Sequence, residues 1–197
     1  MHDDGVTRRR LLSAGGGIAI GALAGCVGAQ RDPNYTPPTE APQDGGQGGD
    51  GGGGGPTRSA SATVNMVSTS DGDQIFDPDL VWLEVGGTVT WVNESGTHST
   101  TAYAEANDKP NRIPSGAEAW DSGILTQSGA EFSHTFETEG VYDYYCIPHE
   151  ALGMIGTVVV GEPSAEGQPG LAPPQSDLPE GARTELERLN AAVAEQL

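Results

Sequence analysis

Of the chain's 197 residues only nine are basic, and a single one of these, Lys109, is a lysine. Against 28 acidic side chains this leaves a formal net charge of -19, so a polyanionic partner such as nucleic acid is excluded as a ligand class. Cysteine is scarce too, with only Cys26 and Cys146, which rules out a disulfide framework. Their surroundings also argue against their pairing: Cys26 closes an apolar stretch near the N-terminus, whereas Cys146 closes an aromatic strand and is followed by His and Met. Methionine numbers three and histidine four, too few for Met-rich metal-storage repeats or for several histidine-rich metal centres. A long apolar run occurs once, between Leu11 and Gln30, where no charged residue interrupts.

That run is preceded by Thr7-Arg8-Arg9-Arg10, a twin arginine before an apolar stretch, and it ends in Leu23-Ala24-Gly25-Cys26. Residues 1–25 therefore read as a twin-arginine export signal with a lipoprotein processing box, and Cys26 as the lipidated residue. The competing reading is an uncleaved anchor, since about 20 apolar residues suffice to span a bilayer. Either way the body of the protein is expected outside the cytoplasm and tethered to a lipid bilayer. Residues 26–58, with Pro37-Pro38 and the run Gly51 to Gly55, have too little apolar surface to order themselves and read as a flexible tether.

Residues 59–162 have a different texture. Short β-rich stretches occur at Ala62–Val67, Val81–Val85, Thr88–Val92, Phe132–Phe136, Val141–Cys146 and Thr157–Val160, separated by Gly-containing turns. This pattern predicts an all-β domain, a Greek-key antiparallel sandwich or barrel of about 100 residues. It is one compact unit, expected to be monomeric. Residues 163–197 are Pro- and Gly-rich at first. They then place Ala182, Leu186, Leu189, Val193 and Leu197 at helical spacing behind a weak capping box, Asp177 with Glu180. So short a helix is marginal in isolation, and a frayed tail is the expectation.

The chemistry is concentrated in Cys146-Ile147-Pro148-His149-Glu150-Ala151-Leu152-Gly153-Met154. A thiolate, an imidazole and a thioether within nine residues form a soft donor set, which favours copper over calcium or magnesium. Tyr142, Tyr144 and Cys146 share one strand face, so the sulfur is expected to point inward behind aromatic packing. Each residue alone has a plainer reading: a buried Cys is commonly inert, a Met a gap filler, a lone His simply hydrogen-bonded. Their spacing after a strand argues for metal binding.

A trigonal copper plane needs a second histidine, with the methionine bound weakly along the axis. His2 lies in the export signal, which leaves His98 and His134. His98 sits in the polar loop after Thr88–Val92, where backbone can bend toward a metal. His134, with Phe132 and Phe136 on the same strand parity, reads as a sheet histidine with a hydrogen-bond partner. The expected metal ligands are thus His98, Cys146, His149 and Met154.

With these features in view, residues 62 to about 160 resemble the plastocyanin family of blue copper proteins, and within it most closely the halocyanins, lipid-anchored proteins of haloarchaea. The resemblance is carried by Phe76-Asp77-Pro78, by Gly86-Gly87-Thr88-Val89-Thr90-Trp91, by His98, by Asp121-Ser122-Gly123, by Tyr142-Asp143-Tyr144-Tyr145-Cys146 and by the ligand loop. It implies a cupredoxin fold, one type 1 copper and electron transfer rather than enzymatic activity. The implied partners are membrane-bound redox proteins such as a cytochrome complex or a terminal oxidase, met on the outer face of the membrane. An extracytoplasmic copper-delivery module without redox duty is the alternative. One position departs from the pattern: Ser99 stands where the family often has the Asn that braces the ligand loop.

Overall fold

The computed structural model describes residues 55–197; the expected export signal, Cys26 and the expected tether as far as residue 54 lie outside the described residues. Seven strands form the body: β1 (Ser59–Ser68), β2 (Gln74–Asp77), β3 (Leu80–Asn93), β4 (Thr101–Ala102), β5 (Ala130–Phe136), β6 (Gly140–Tyr145) and β7 (Ile155–Val160). They are connected in the order β2-β1-β3-β7-β6-β4, with β5 on the free side of β3. The all-β expectation holds, but the sheet is mixed rather than purely antiparallel. Strand β3 runs parallel to both β1 and β7 and antiparallel to β5.

The two stretches read separately as Val81–Val85 and Thr88–Val92 are one continuous strand that changes partners at its Gly86-Gly87 centre. Leu80–Leu83 pair with β7, whereas Gly87–Asn93 pair with β5 and Thr88–Asn93 with β1. One strand thereby belongs to both layers of the sandwich. Between them lie Val64, Met66, Leu83, Val89, Trp91, Phe136, Tyr144 and Val158, all buried. The alternation Val81, Leu83 and then Val89, Trp91 keeps the same strand face inward on either side of an exposed middle at Glu84–Gly86. Trp91 is the centre of an aromatic cluster, 5.6 Å from the Trp120 ring and 5.3 Å from that of Tyr144.

The C-terminal expectation needs correction. Residues Glu180–Ala194 form a helix, α1, that is not frayed but packs Leu186, Leu189 and Ala182 against Tyr103, Tyr145 and Ile155, and Val193 against Val141 and Val159. The reason lies in β6 and β7, buried at every position, as strands covered on both faces are. Their outer face, Val141, Tyr145, Ile155 and Val159, requires a cover. Each Leu or Val that α1 buries there contributes on the order of 1.5–3 kcal/mol, ample to offset the helix's weakness in isolation. Asp177 does not cap: the helix starts after Pro179 without a side-chain cap.

Arg112 and Asp143 fasten the same cover. Both side chains are fully buried, and the Arg112 Nε–H donates to Asp143 Oδ2 at 2.8 Å. Thr157 donates its hydroxyl to the other carboxylate oxygen at 2.6 Å. The remaining guanidinium nitrogens donate to the carbonyls of Gly170 (2.5 Å) and Ala172 (3.0 Å), so the segment leading to α1 completes the shell of a charge inside the domain.

Candidate metal centre

His98, Cys146 and His149 converge at one end of the sandwich, with their donor atoms all within 4.8 Å of one another. Cys146 follows the last residue of β6, and its buried sulfur lies behind Tyr142 and Tyr144, the inward direction read from strand parity. His149 lies in a short 3-10 turn, Ile147–Leu152, opened by Pro148 and closed by Gly153 in the left-handed region at φ 87°. Met154 is the next residue, buried in the cluster that contains Cys146. Two bonds close the loop on itself: the Cys146 amide donates to the Met154 carbonyl (3.0 Å) and the Met154 amide to the His149 carbonyl (3.2 Å). The fourth predicted residue, His98, is fully buried in the loop after β3 and bridges Leu125 in both directions, at 3.1 and 2.7 Å.

Both rings turn Nδ1 toward the thiol. His98 Nδ1 is 3.7 Å and His149 Nδ1 is 3.4 Å from Cys146 Sγ. For His98 the tautomer follows from its neighbours. Nε2 lies 2.9 Å from the Ser95 carbonyl, which can only accept, so the proton is on Nε2 and Nδ1 presents its lone pair. Gly96 leaves room for this contact: its φ is 89°, and a Cβ there would come within 3.0 Å of Nε2. Asn93 holds the loop from beneath, donating from Nδ2 toward the carbonyls of Gly96, Leu125 and Gln127. It is the buried last residue of β3, and sequence reasoning missed it; an Asn at an inward-facing strand position was the available signal.

The electrostatics suit a ligand set held neutral until a cation arrives. Burial lowers the pKa of His98, partly offset by its bond to Ser95, with nearby His149 lowering it further; burial alone lowers that of His149. Burial also pushes the Cys146 thiol up to about 11, against the opposing pull of hydrogen bonds from Ser99 and His149. At neutral pH the cysteine therefore binds a metal by releasing a proton. One thiol and two imidazole lone pairs aimed at a common point, beside a buried thioether residue, fit a copper ion better than a hard oxygen-seeking cation.

His134 stands apart. It lies in β5, half-buried, stacked on Trp120 with ring centroids 4.9 Å apart and edge-on to Phe136. It is the sheet histidine expected, but its ring is held by aromatic faces where a hydrogen-bond partner was foreseen.

A cysteine and two histidines facing one another at the end of a mixed β-sandwich define a copper protein of the cupredoxin class. The family described as copper binding proteins, plastocyanin/azurin family, matches residues 62–161. Plastocyanin from Scenedesmus fuscus is 35% identical over 97 residues, 48% of this chain and 94% of that protein. Halocyanin from Natronomonas pharaonis is 34% identical over 87 residues, 43% of this chain and 47% of that protein. Among solved structures, the pseudoazurin from Sinorhizobium meliltoi superposes with a TM-score of 0.54 at 27% identity, covering 70% of this chain and 98% of that one. The chain belongs to the plastocyanin/azurin family of copper-binding proteins. Copper is its cofactor, and it is an electron-transfer protein rather than an enzyme.

Proposed function

We propose that this chain carries single electrons between membrane-bound redox proteins, using one type 1 copper held by His98, Cys146, His149 and Met154. The observation that carries the reading is the approach of two histidine Nδ1 atoms to one buried cysteine sulfur, 3.7 and 3.4 Å away. When bound, the copper supplies a one-electron couple, tuned in such sites by the weak axial ligand. The protein's part is to hold the ligands still: His98 is gripped through Ser95, Cys146 through its amide bond to the Met154 carbonyl, and Met154 through its amide bond to the His149 carbonyl.

His149 is the ligand nearest to solvent, and the residues around it are apolar and exposed, Leu152 by 69% and Ile147 by 44%. With Pro148 and Ala151 they make a small port for a transient partner. Recognition through this patch suits a protein of net charge -19 working in concentrated salt, as in a haloarchaeon. Anchoring through Cys26 on the outer face of the membrane, after twin-arginine export, would keep the port among membrane redox complexes.

The test is spectroscopic. The copper-loaded chain should show an intense blue thiolate-to-copper absorption and a reversible one-electron couple. Tight but colourless binding of Cu(I) without reversible oxidation would instead favour the copper-delivery reading. Anchoring is tested separately: Cys26→Ser should release the protein from the membrane fraction and change the mass of its mature N-terminus, and an unchanged distribution and mass would refute lipidation.

A further inference from the structure

Glu150 occupies an unexpected place. It sits between His149 and Met154 in a turn whose neighbours Ile147, Pro148, Ala151 and Leu152 are exposed and apolar, yet its own side chain is only 11% exposed. Burying a carboxylate is costly unless both oxygens are satisfied. Here they are: Oε1 accepts the Tyr103 hydroxyl at 3.1 Å and Oε2 accepts the Lys109 ammonium at 2.5 Å. Lys109 is the chain's one lysine, and its Nζ lies 4.8 Å from the centroid of Tyr145, the residue before Cys146. The Tyr103 and Tyr145 rings are themselves 4.6 Å apart. The carboxylate is thus held by a platform built onto the strand end that delivers the thiol.

The backbone of α1 also closes on the turn. Gly181, in the first turn of α1, lies so near that a Cβ there would come within 2.5 Å of the Ala151 carbonyl and 3.1 Å of the Gly153 amide. The segment from His149 to Met154 is therefore touched both by the Tyr103–Lys109 platform and by the backbone of α1, which itself packs on Tyr103 and Tyr145. Replacing a buried ion pair with apolar groups of similar volume is often neutral or stabilising, so stability alone does not explain a charged pair here. What the pair adds is direction: two hydrogen bonds to one planar group fix its orientation.

We propose that Glu150 is a positioning residue of the copper site, gripped by Tyr103 and Lys109 so that the turn carrying His149 and Met154 stays in one arrangement when the oxidation state changes. Its charge is offset by Lys109 within hydrogen-bond distance, so the metal senses a nearly neutral pair and the clamp acts mainly through geometry. This rests on the assignment of His149 and Met154 as ligands, but its first readout does not.

The experiment compares Lys109→Met, Lys109→Arg, Glu150→Gln and the apolar pair Lys109→Met with Glu150→Met in the full chain. Amide hydrogen exchange is followed at His149, Gly153 and Met154 in the metal-free protein, together with global stability. Reduction potential and electron self-exchange rate are measured in the copper-loaded protein. In the apolar pair the turn amides should exchange roughly tenfold faster although global stability is kept, a factor equivalent to about 1.4 kcal/mol of local opening. The potential should stay near the parent value because the net charge is unchanged, while self-exchange slows. Lys109→Met alone should lower the potential by leaving a negative charge that favours Cu(II), Glu150→Gln should raise it, and Lys109→Arg should restore the parent behaviour. Parent-like turn exchange and self-exchange in the apolar pair would overturn the proposal. A chain without blue copper but with faster turn exchange would refute the ligand assignment and leave the clamp standing.

Discussion

Ser99 and Ile147 are 48 residues apart in the chain, yet the Ser99 hydroxyl accepts the Ile147 amide at 2.8 Å. The Ser99 amide in turn points at Cys146 Sγ from 3.4 Å, so the residue following one histidine grips both the thiol and the start of the turn bearing the other. The bracing expected of an Asn is performed here by a shorter side chain, itself bonded to Thr101 at 3.2 Å. Ser99→Ala should cost about 1–3 kcal/mol, the penalty for stranding a buried polar partner, and should broaden the copper charge-transfer band. Urea unfolding and visible spectroscopy check both; unchanged values in each would show that the bond is incidental.

Cys146 and Met154 should separate cleanly by substitution. Cys146→Ser is expected to abolish the blue absorption, which arises from the thiolate, whereas Met154→Gln should retain it with a lowered reduction potential because the axial ligand only tunes the site. Absorption spectra and voltammetry of the two variants decide this, and a blue Cys146→Ser protein would refute the assignment.

The two described histidines outside the Cys146–Met154 loop make opposite predictions. His98→Ala should lose the normal blue site, while His134→Phe should keep it. His134 also has a signature in pH. Burial against Trp120 and Phe136 lowers its pKa, with Glu118 partly opposing. The unfolded chain therefore takes up this proton more readily than the folded one. The histidine's contribution to stability is complete above its unfolded pKa of about 6.5 and is lost as the pH falls from there through the folded value. Stability of the parent minus that of His134→Phe, measured at matched metal loading, should decline across this window; a flat difference would contradict the argument.

Arg112→Met should be among the most damaging single changes away from the metal. It leaves the Asp143 carboxylate buried without its cation and frees the carbonyls of Gly170 and Ala172, so a loss of roughly 3–5 kcal/mol is expected in urea unfolding. A loss below about 1 kcal/mol would mean that the pair contributes little.

Leu152→Glu tests the port. At about 1 M salt the Debye length falls to roughly 3 Å, so distant carboxylates steer little and the apolar rim must supply most of the contact. Transient electron-transfer complexes need less than about 1,200 Å² of interface, which a patch of this size can anchor. Stopped-flow transfer to a membrane acceptor should slow in Leu152→Glu with the copper spectrum intact. A rate indifferent to this change but sensitive to remote acids would reverse the picture.

The convergence of Cys146 and His149 was legible because they lie on a strand end and one turn, where spacing along the chain translates directly into spacing in the fold. His98 was legible by elimination and by its polar loop. The clamp was not, since Tyr103 and Lys109 reach Glu150 through a long connection whose path no local pattern announces. The longer strands were legible from alternation and turns, whereas the short β2 and β4 and the change of partners within β3 were not, because pairing is decided between strands and not along them. The seat of α1 could have been inferred from β6 and β7, whose apolar residues on both faces ask for a second cover; the tail's own weak helical tendency pointed the other way.

Arg112 has one more consequence, which concerns the order in which the domain can be made. Chains emerge N-terminal end first at about 5–20 residues per second, so Arg112 and Asp143 leave the ribosome well before Gly170, Ala172 and α1. Through that interval a cation destined for the interior lacks two of its acceptors, and the outer faces of β6 and β7 lie bare. The sandwich can collapse early but cannot lock until Gly170, Ala172 and α1 arrive, which makes an arrested chain ending near residue 162 a ready substrate for proteolysis.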